Sequence, residues 1–251
     1  AMRNAGPVLT VVGLILVVWY AAAVWMNSTW VYDQAERAGT TVTFAEAIPQ
    51  TMAQERPLLP AAHQVVAELW KGIAGQRVTS KRSLVYHGFV TLQATLYGFG
   101  LGILLGVGLA VAIVHSRSME RGVMPWAIIS QTIPIVALAP MIIVLPDRIG
   151  IEGKMVPKAI IASYLSFFPV LVGMVTGLRS PDAMQLDLLK TYNATGGETF
   201  RKLRLPSSMP YLFASLKVGI AASLVGAIVG ELPTGAVAGL GARLLSGSYY
   251  G

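Results

Sequence analysis

Five stretches of this chain are long and apolar enough to cross a lipid bilayer, and this restricts the fold more than any other feature. They cover residues 7–26, 88–114, 123–146, 159–178 and 209–230. The hydrocarbon core of a bilayer takes roughly 20 apolar residues of helix. Inside it each backbone N–H and C=O must be bonded within the chain, so each stretch reads as a helix. The first four carry no Asp, Glu, Lys or Arg, and the fifth carries only Lys217. The chain is therefore expected to be an all-α integral membrane protein with five transmembrane helices in view. Hydrophobic residues make up 54% and charged residues 12%, about half the charged share of a soluble domain.

Several functions are excluded at this level. The chain has no cysteine and three histidines, and its carboxylates are scattered, so no metal site is expected. The net charge of +7 does not point to nucleic acid. The basic residues sit between apolar stretches, as the positive-inside bias requires, and no phosphate-binding face is expected. Residues 1–26 read as a membrane anchor. Their apolar run is too long for a signal peptide, and no small-residue cleavage site precedes Trp25 and Trp30. With the N-terminus inside, the inner loops carry Arg3, Arg117, Arg121, Arg179, Lys190, Arg201, Lys202 and Arg204. The short outer loop then carries Arg148, Lys154 and Lys158, which favours this orientation.

Residues 27–87 read as an extracytoplasmic segment. Within it Val65, Val66, Leu69, Trp70 and Ile73 recur at helical spacing. That predicts an amphipathic helix, either lying on the outer surface or packed on the spans. In the second span Gly98, Gly102 and Gly106 make one flat stripe that lets another helix approach closely. The neighbour is a helix of the same chain or of a second subunit. The third span contains Gln131, Thr132, Pro134 and Pro140. Two prolines and an amide free backbone groups inside the membrane, which is tolerated along a cavity or against protein. A translocation path through Gln131, Thr132 and Pro134 is the functional reading, and a kinked packing helix is the alternative. Tyr164 and Ser166 in the fourth span invite the same reading. In the fifth, Lys217 is expected to reach the interface by snorkelling. Glu231 either faces water or belongs to the path. Residues 233–251 read as a Gly/Ser-rich outer end with no further span.

Between the fourth and fifth spans lies a polar, basic island, residues 179–206. Ser180, Pro181 and Asp182 are helix-start residues. Met184, Leu188 and Tyr192, with Leu189 alongside, make an apolar face at i, i+4, i+8. Asn193 is a natural stop, since Asn tolerates the left-handed conformation. A second short helix runs through Phe200 and Leu203. An ordered island of this kind suggests a docking surface for another protein.

The island resembles the cytoplasmic loop of permease subunits in binding-protein-dependent ABC importers. That loop reads EAA, three residues, Gly, nine residues, Ile, any residue, Leu-Pro. Here the same spacing holds Asp187, Leu188 and Leu189, then Asn193, then Leu203, Arg204, Leu205 and Pro206. Asp replaces Glu, Leu replaces both Ala, Asn replaces Gly and Leu replaces Ile. Each keeps the role of acid, apolar face, turn former or apolar anchor. Further runs resemble the nitrate/sulfonate/taurine-type subgroup: LLPAAHQVVAELW at 58–70, HGFVTLQATLYGFGLGILLGVGLAV at 87–111, QTIPIVALAPMIIV at 131–144, SYLSFFPVLVGMVTGL at 163–178, and residues 192–232. The segment at 144–154 lacks the subgroup's aromatic-Gly run.

The resemblance implies a six-helix type I ABC importer permease fold in the bacterial inner membrane, with both termini cytoplasmic. On that pattern a sixth helix would follow Gly251, and the chain is expected to be truncated there. Two cytoplasmic ATPase subunits would bind ATP and Mg, because this chain has no GxxxxGK[ST] segment. A second permease subunit, identical in a homodimer, would complete the pore. A periplasmic binding protein would deliver a small polar or anionic solute. The coupling residues would be Asp187, Leu188, Leu189, Lys190, Thr191, Tyr192, Asn193, Ala194, Thr195, Leu203 and Pro206. The alternative is a passive channel or structural subunit without ATPase coupling. A membrane enzyme would need convergent acids, nucleophiles or metal ligands at one depth, which the spans do not offer.

Overall fold

A computed structural model describes residues 5–148, 150, 153–233 and 238–250. Parts of the expected anchor (1–4) and Gly/Ser-rich end (234–237 and 251) therefore lie outside the described residues, as do 149, 151 and 152. Each regular element among the described residues is a helix. The chain divides into two compact units, residues 1–84 and 85–250.

The first unit holds α1 (Ala5–Arg37), α2 (Phe44–Met52) and α3 (Ala62–Ile73). The helix expected to end near Met26 runs eleven residues further, to Arg37, and its second half carries the outer segment. Asn27, only 2% exposed, is the anchor. Its amide donates to the Leu59 carbonyl at 2.9 Å and accepts from the Leu59 N–H at 3.2 Å. Gln54 donates to the Asn27 carbonyl, and the Trp19 indole donates to the Pro60 carbonyl. The Tyr20 hydroxyl meets the His63 ring at 3.1 Å. These bonds replace regular structure between α2 and α3. Within this unit Val66, Leu69, Trp70 and Ile73 of α3 remain exposed, as do Val8 to Val18 of α1.

The second unit is built around α7 (Met155–Leu178), with α4 (Leu84–His115) on one side and α10 (Leu205–Glu231) on another. In lipid, helices gain little from the hydrophobic effect and associate by close packing between small residues. Here the glycines do this within one chain. Gly98 faces Ala162, Gly102 faces Ser166, and a Cβ on Gly106 would lie 2.8 Å from the Phe167 carbonyl oxygen. A Cβ on Gly226 of α10 would lie 2.7 Å from the Cα of Ala162. Ser223 of α10 then donates to the Thr95 carbonyl of α4 at 2.9 Å. At the His115 end, Ile113, Leu171, Met174 and Leu178 form a buried apolar cluster.

The third expected span is not one straight helix. It is α5 (Arg117–Ser130) followed by α6 (Ile135–Arg148), bent by 104° at the break. Among the described residues four helices are thus long and apolar enough to cross a membrane, or five spans if the bent pair counts as one. Pro134 cannot donate a hydrogen bond back into α5. The turn is closed instead by Gln131 N–H to Ile128, Thr132 N–H to Ile129 and Ile133 N–H to Ser130. After α10 the Gly/Ser-rich end carries a further short helix, α11 (Leu240–Tyr250).

At the Glu231 end the bundle closes on buried charge. Glu231 is 0% exposed, and Lys158 is buried with it. Their Nζ and Oε1 atoms are 3.3 Å apart. The Thr91 hydroxyl lies 3.0 Å from both carboxylate oxygens, and the Gly241 N–H donates to Oε2 at 2.8 Å. Lys158 also donates to the Ala238 carbonyl, and the Gly239 N–H donates to His87 Nδ1 at 2.9 Å. Gly239 has φ +130 and presses on the carboxylate where a Cβ would clash. The knot therefore joins α4, α7, α10 and the entry to α11.

Two outcomes follow for thermal unfolding in detergent. Gly102→Val should lower stability by about 1–3 kcal/mol through overpacking, while Gly100→Val, whose side faces open space, should leave it unchanged. Removing one partner of a buried ion pair costs about 3–5 kcal/mol, so Lys158→Met should lower the Tm sharply. Adding Glu231→Gln to Lys158→Met should recover much of that loss, because no buried charge is then left unpaired. A double variant as unstable as the single one would contradict the pairing.

Candidate functional site

The polar island forms a helical hairpin. Asp182, rather than Ser180, caps α8 (Ala183–Thr191), and the Asp182 N–H donates to the Gln185 side chain at 3.2 Å. Ser180 instead closes α7, donating to the Gly177 carbonyl at 2.8 Å. Asn193 stops α8 as expected. It has φ 54, the left-handed region, and lets the Ala194 N–H reach back to the Leu189 carbonyl at 3.0 Å. Thr195 caps α9 (Gly196–Thr199). Its hydroxyl accepts from the Glu198 N–H, and the Glu198 carboxylate accepts from the Thr195 N–H at 2.9 Å. This reciprocal pair satisfies two orphan donors at the helix start.

From α9 the chain continues into α10 through a π-helical turn, Phe200–Arg204, so the second short helix and the last span are one continuous element. Pro206 explains the widened turn. It lacks an N–H and its ring clashes with the preceding turn, so the Leu205 N–H bonds to the Phe200 carbonyl five residues back. The signal in the sequence was a Leu-Pro step leading directly into an apolar helix.

The ridge of α8 stands clear of the bundle. Met184, Leu188 and Tyr192 are 83%, 54% and 76% exposed, and they lie on one face of the helix. Leu189 is half-buried on another face. The polar residues read as anchors are engaged locally. Asp187 and Lys190 pair at 2.8 Å, and Thr191 donates to the Leu188 carbonyl at 2.7 Å. Leu203 is half-buried and Pro206 exposed. The hairpin is fastened to the bundle at two points. Arg179 pairs with Glu120 of α5 at 2.9 Å, and Phe200 packs edge-on against His115 of α4 at 5.1 Å. Phe200 and Leu205 also border the buried apolar cluster.

Four of the six residues read as a translocation path come together at the α5–α6 break. Gln131 donates to the Ser130 hydroxyl at 3.2 Å, and Thr132 to the Ile129 carbonyl at 2.8 Å. Thr132 and Pro134 are exposed. Tyr164 reaches across from α7, its hydroxyl donating to the Ser130 carbonyl. Ser166 lies elsewhere, buried against Gly102. Glu231 is in the buried knot rather than facing water. The sequence reading passed over the knot's other members, Lys158, Thr91 and His87. Lys158 had been counted as a loop residue, although it sits one residue before an apolar stretch just as Glu231 sits one residue after another.

With this geometry in place, comparison with known proteins is informative. The model of the family described as "Binding-protein-dependent transport system inner membrane component" matches residues 100–251, which include the α5–α6 break and the hairpin. The chain is 31% identical over 185 residues to the formylaminopyrimidine transport permease protein ThiX of Halalkalibacterium halodurans, covering 73% of this chain and 68% of that one. A Bacillus subtilis permease protein named for aliphatic sulfonates transport is 26% identical over 238 residues, with 84% and 83% covered. The nitrate import permease protein NrtB of Leptolyngbya laminosa is 24% identical over 178 residues, with 69% and 62% covered. A membrane bundle with a broken span, carrying a helical hairpin at the spacing of the permease loop, belongs with these proteins: the chain is a member of the binding-protein-dependent inner membrane component family, the permeases of ABC transporters.

Proposed function

We propose that this chain is the permease subunit of an ATP-driven importer, with the α8 hairpin as its docking element for a cytoplasmic ATPase. The observation that carries the proposal is the exposed ridge of Met184, Leu188 and Tyr192 on a capped helix at the bundle's polar end. A solvent-facing apolar ridge at i, i+4, i+8 fits a groove on another protein. Arg179–Glu120 and Phe200–His115 would pass its displacement to α5 and α4.

In this reading the hairpin is cytoplasmic, and so is the N-terminus, in a bacterial inner membrane. Two permease copies form the pore, as closed two-fold assembly favours. Two ATPase subunits hold ATP and Mg, and a periplasmic binding protein presents a small polar or anionic solute at the Glu231 end. The relatives named for sulfonates and nitrate support an anionic solute, and the one named for formylaminopyrimidine a polar heterocycle. ATP-driven closure of the ATPases would rock the bundle and re-aim the bent α5–α6 pair, giving alternating access. Gln131, Thr132, Pro134 and Tyr164 would then lie along the path.

Affinity capture of the tagged chain from detergent, with its genomic neighbours co-expressed, tests the docking role. The wild type should retain a P-loop ATPase. Leu188→Glu, which places a charge on the ridge without touching the core, should reduce recovery at least about tenfold, as loss of a central apolar anchor does. Equal recovery from both would remove α8 as the docking element. Absence of any ATPase would favour a passive channel.

A further inference from the structure

Lys217 has no place in the packing just described. It lies mid-way along α10, eight residues beyond Met209 and thirteen before Gly230. At about 1.5 Å rise per residue these are roughly 12 and 20 Å. If residues 209–230 fill the hydrocarbon, the ammonium would have to climb about twice the reach of a lysine stem to leave it. The expectation of simple snorkelling therefore fails on distance.

Nor does the bundle interior receive it. The face of α10 against α7 is marked by Ser215 on Gly173, by Gly219 on Val170 and by Gly226 on Ala162. These positions lie about half a turn around the helix from Lys217. Lys217 is exposed, on a face with Phe213, Ala221 and Leu224. Among the described residues it has no ion pair or hydrogen bond. It is also the one charged side chain of the described residues exposed in the middle of an apolar span. A lysine at mid-bilayer depth faces the protein interior or a water-filled cavity, because exposure to lipid is costly. In the two-copy assembly of the permease reading this face meets the second copy or water, and an ammonium without a partner is accommodated by water.

We infer that the Lys217 face of α10 lines the aqueous translocation path, and that Lys217 is a fixed cation which selects for anionic solutes there. The inference rests on the permease reading and narrows its solute class. In a two-fold pair, two copies of this lysine would flank the path, and rings of Lys or Arg are how pores favour anions. The path is then bounded by α10 as well as by the α5–α6 break. Phe213 and Leu224 form dry walls above and below the charge.

The chain has no cysteine, so Ala221→Cys, one turn along the same face, is an unambiguous probe. The full chain in lipid nanodiscs, with its ATPase where capture recovers one, is treated with anionic sulfonatoethyl or cationic trimethylammonioethyl methanethiosulfonate. Ala110→Cys, in the buried core, gives the inaccessible baseline. Ala221→Cys should react well above that baseline and faster with the sulfonate reagent. Adding Lys217→Met should lower the sulfonate-to-ammonium rate ratio about tenfold, the size expected for one charge roughly 6 Å away across water, counted once for each reagent. Adding Lys217→Arg should keep the ratio. A baseline rate at Ala221→Cys would place this face in lipid and overturn the inference. Reaction with a ratio insensitive to Lys217 would overturn the anion selectivity. Both failures are distinct from failure to capture an ATPase, which bears on the permease reading instead.

Discussion

Close approach of three helices through small residues is the constraint on which the rest of this structure depends. With lipid outside, α4 and α10 gain little by burying leucines against α7. They hold it because Gly98, Gly102, Gly106 and Gly226 bring backbones within van der Waals contact. Dispersion and short interhelical hydrogen bonds, such as Ser223 to Thr95, become possible only at that distance. Everything else in the second unit is mounted on this clamp. The buried apolar cluster closes one end, and the Lys158–Glu231 knot closes the other.

A rigid clamp with a bent pair at its side is a natural arrangement for a moving permease. The α5–α6 pair meets the clamp through Ala127, which is buried in the apolar cluster, and through Tyr164 to Ser130 and Arg179 to Glu120. Its own backbone is interrupted at Gln131–Pro134. On the permease reading this break is where the pair would re-aim, since packed cores shift between discrete arrangements more readily than they deform. The hairpin lies at the end of the clamp where α4, α5, α7 and α10 all converge. On the proposed docking role, a force applied to α8 would reach both the clamp and the bent pair within a few residues.

How much of this was legible in the sequence depended on how local the cause was. The spans, the α8 ridge and the Asn193 stop could be read because apolar spacing and a left-handed Asn act within a few residues. The capping of α9 by Thr195 and the widened turn before Pro206 were present as local signals but were not drawn. The bend at 131–134 was half visible, since the prolines announced a defect but not its 104° angle. The knot was not legible. Lys158 and Glu231 are separated by 73 residues, and each looked like a residue at the end of a span facing water. Only the three-helix packing brings them to one depth, and only burial turns a surface charge into a partner.

The most direct test of the docking role is site-specific photo-crosslinking from α8 in the assembled membrane. Benzoylphenylalanine placed at Leu188 or Tyr192 should capture a P-loop ATPase subunit in high yield, whereas the same group at Ala183, exposed on the other side of the helix, should not. Capture that follows the ridge would fix α8 as the coupling element and its apolar face as the contact. Equal yields on both faces, or an adduct with lipid alone, would contradict it.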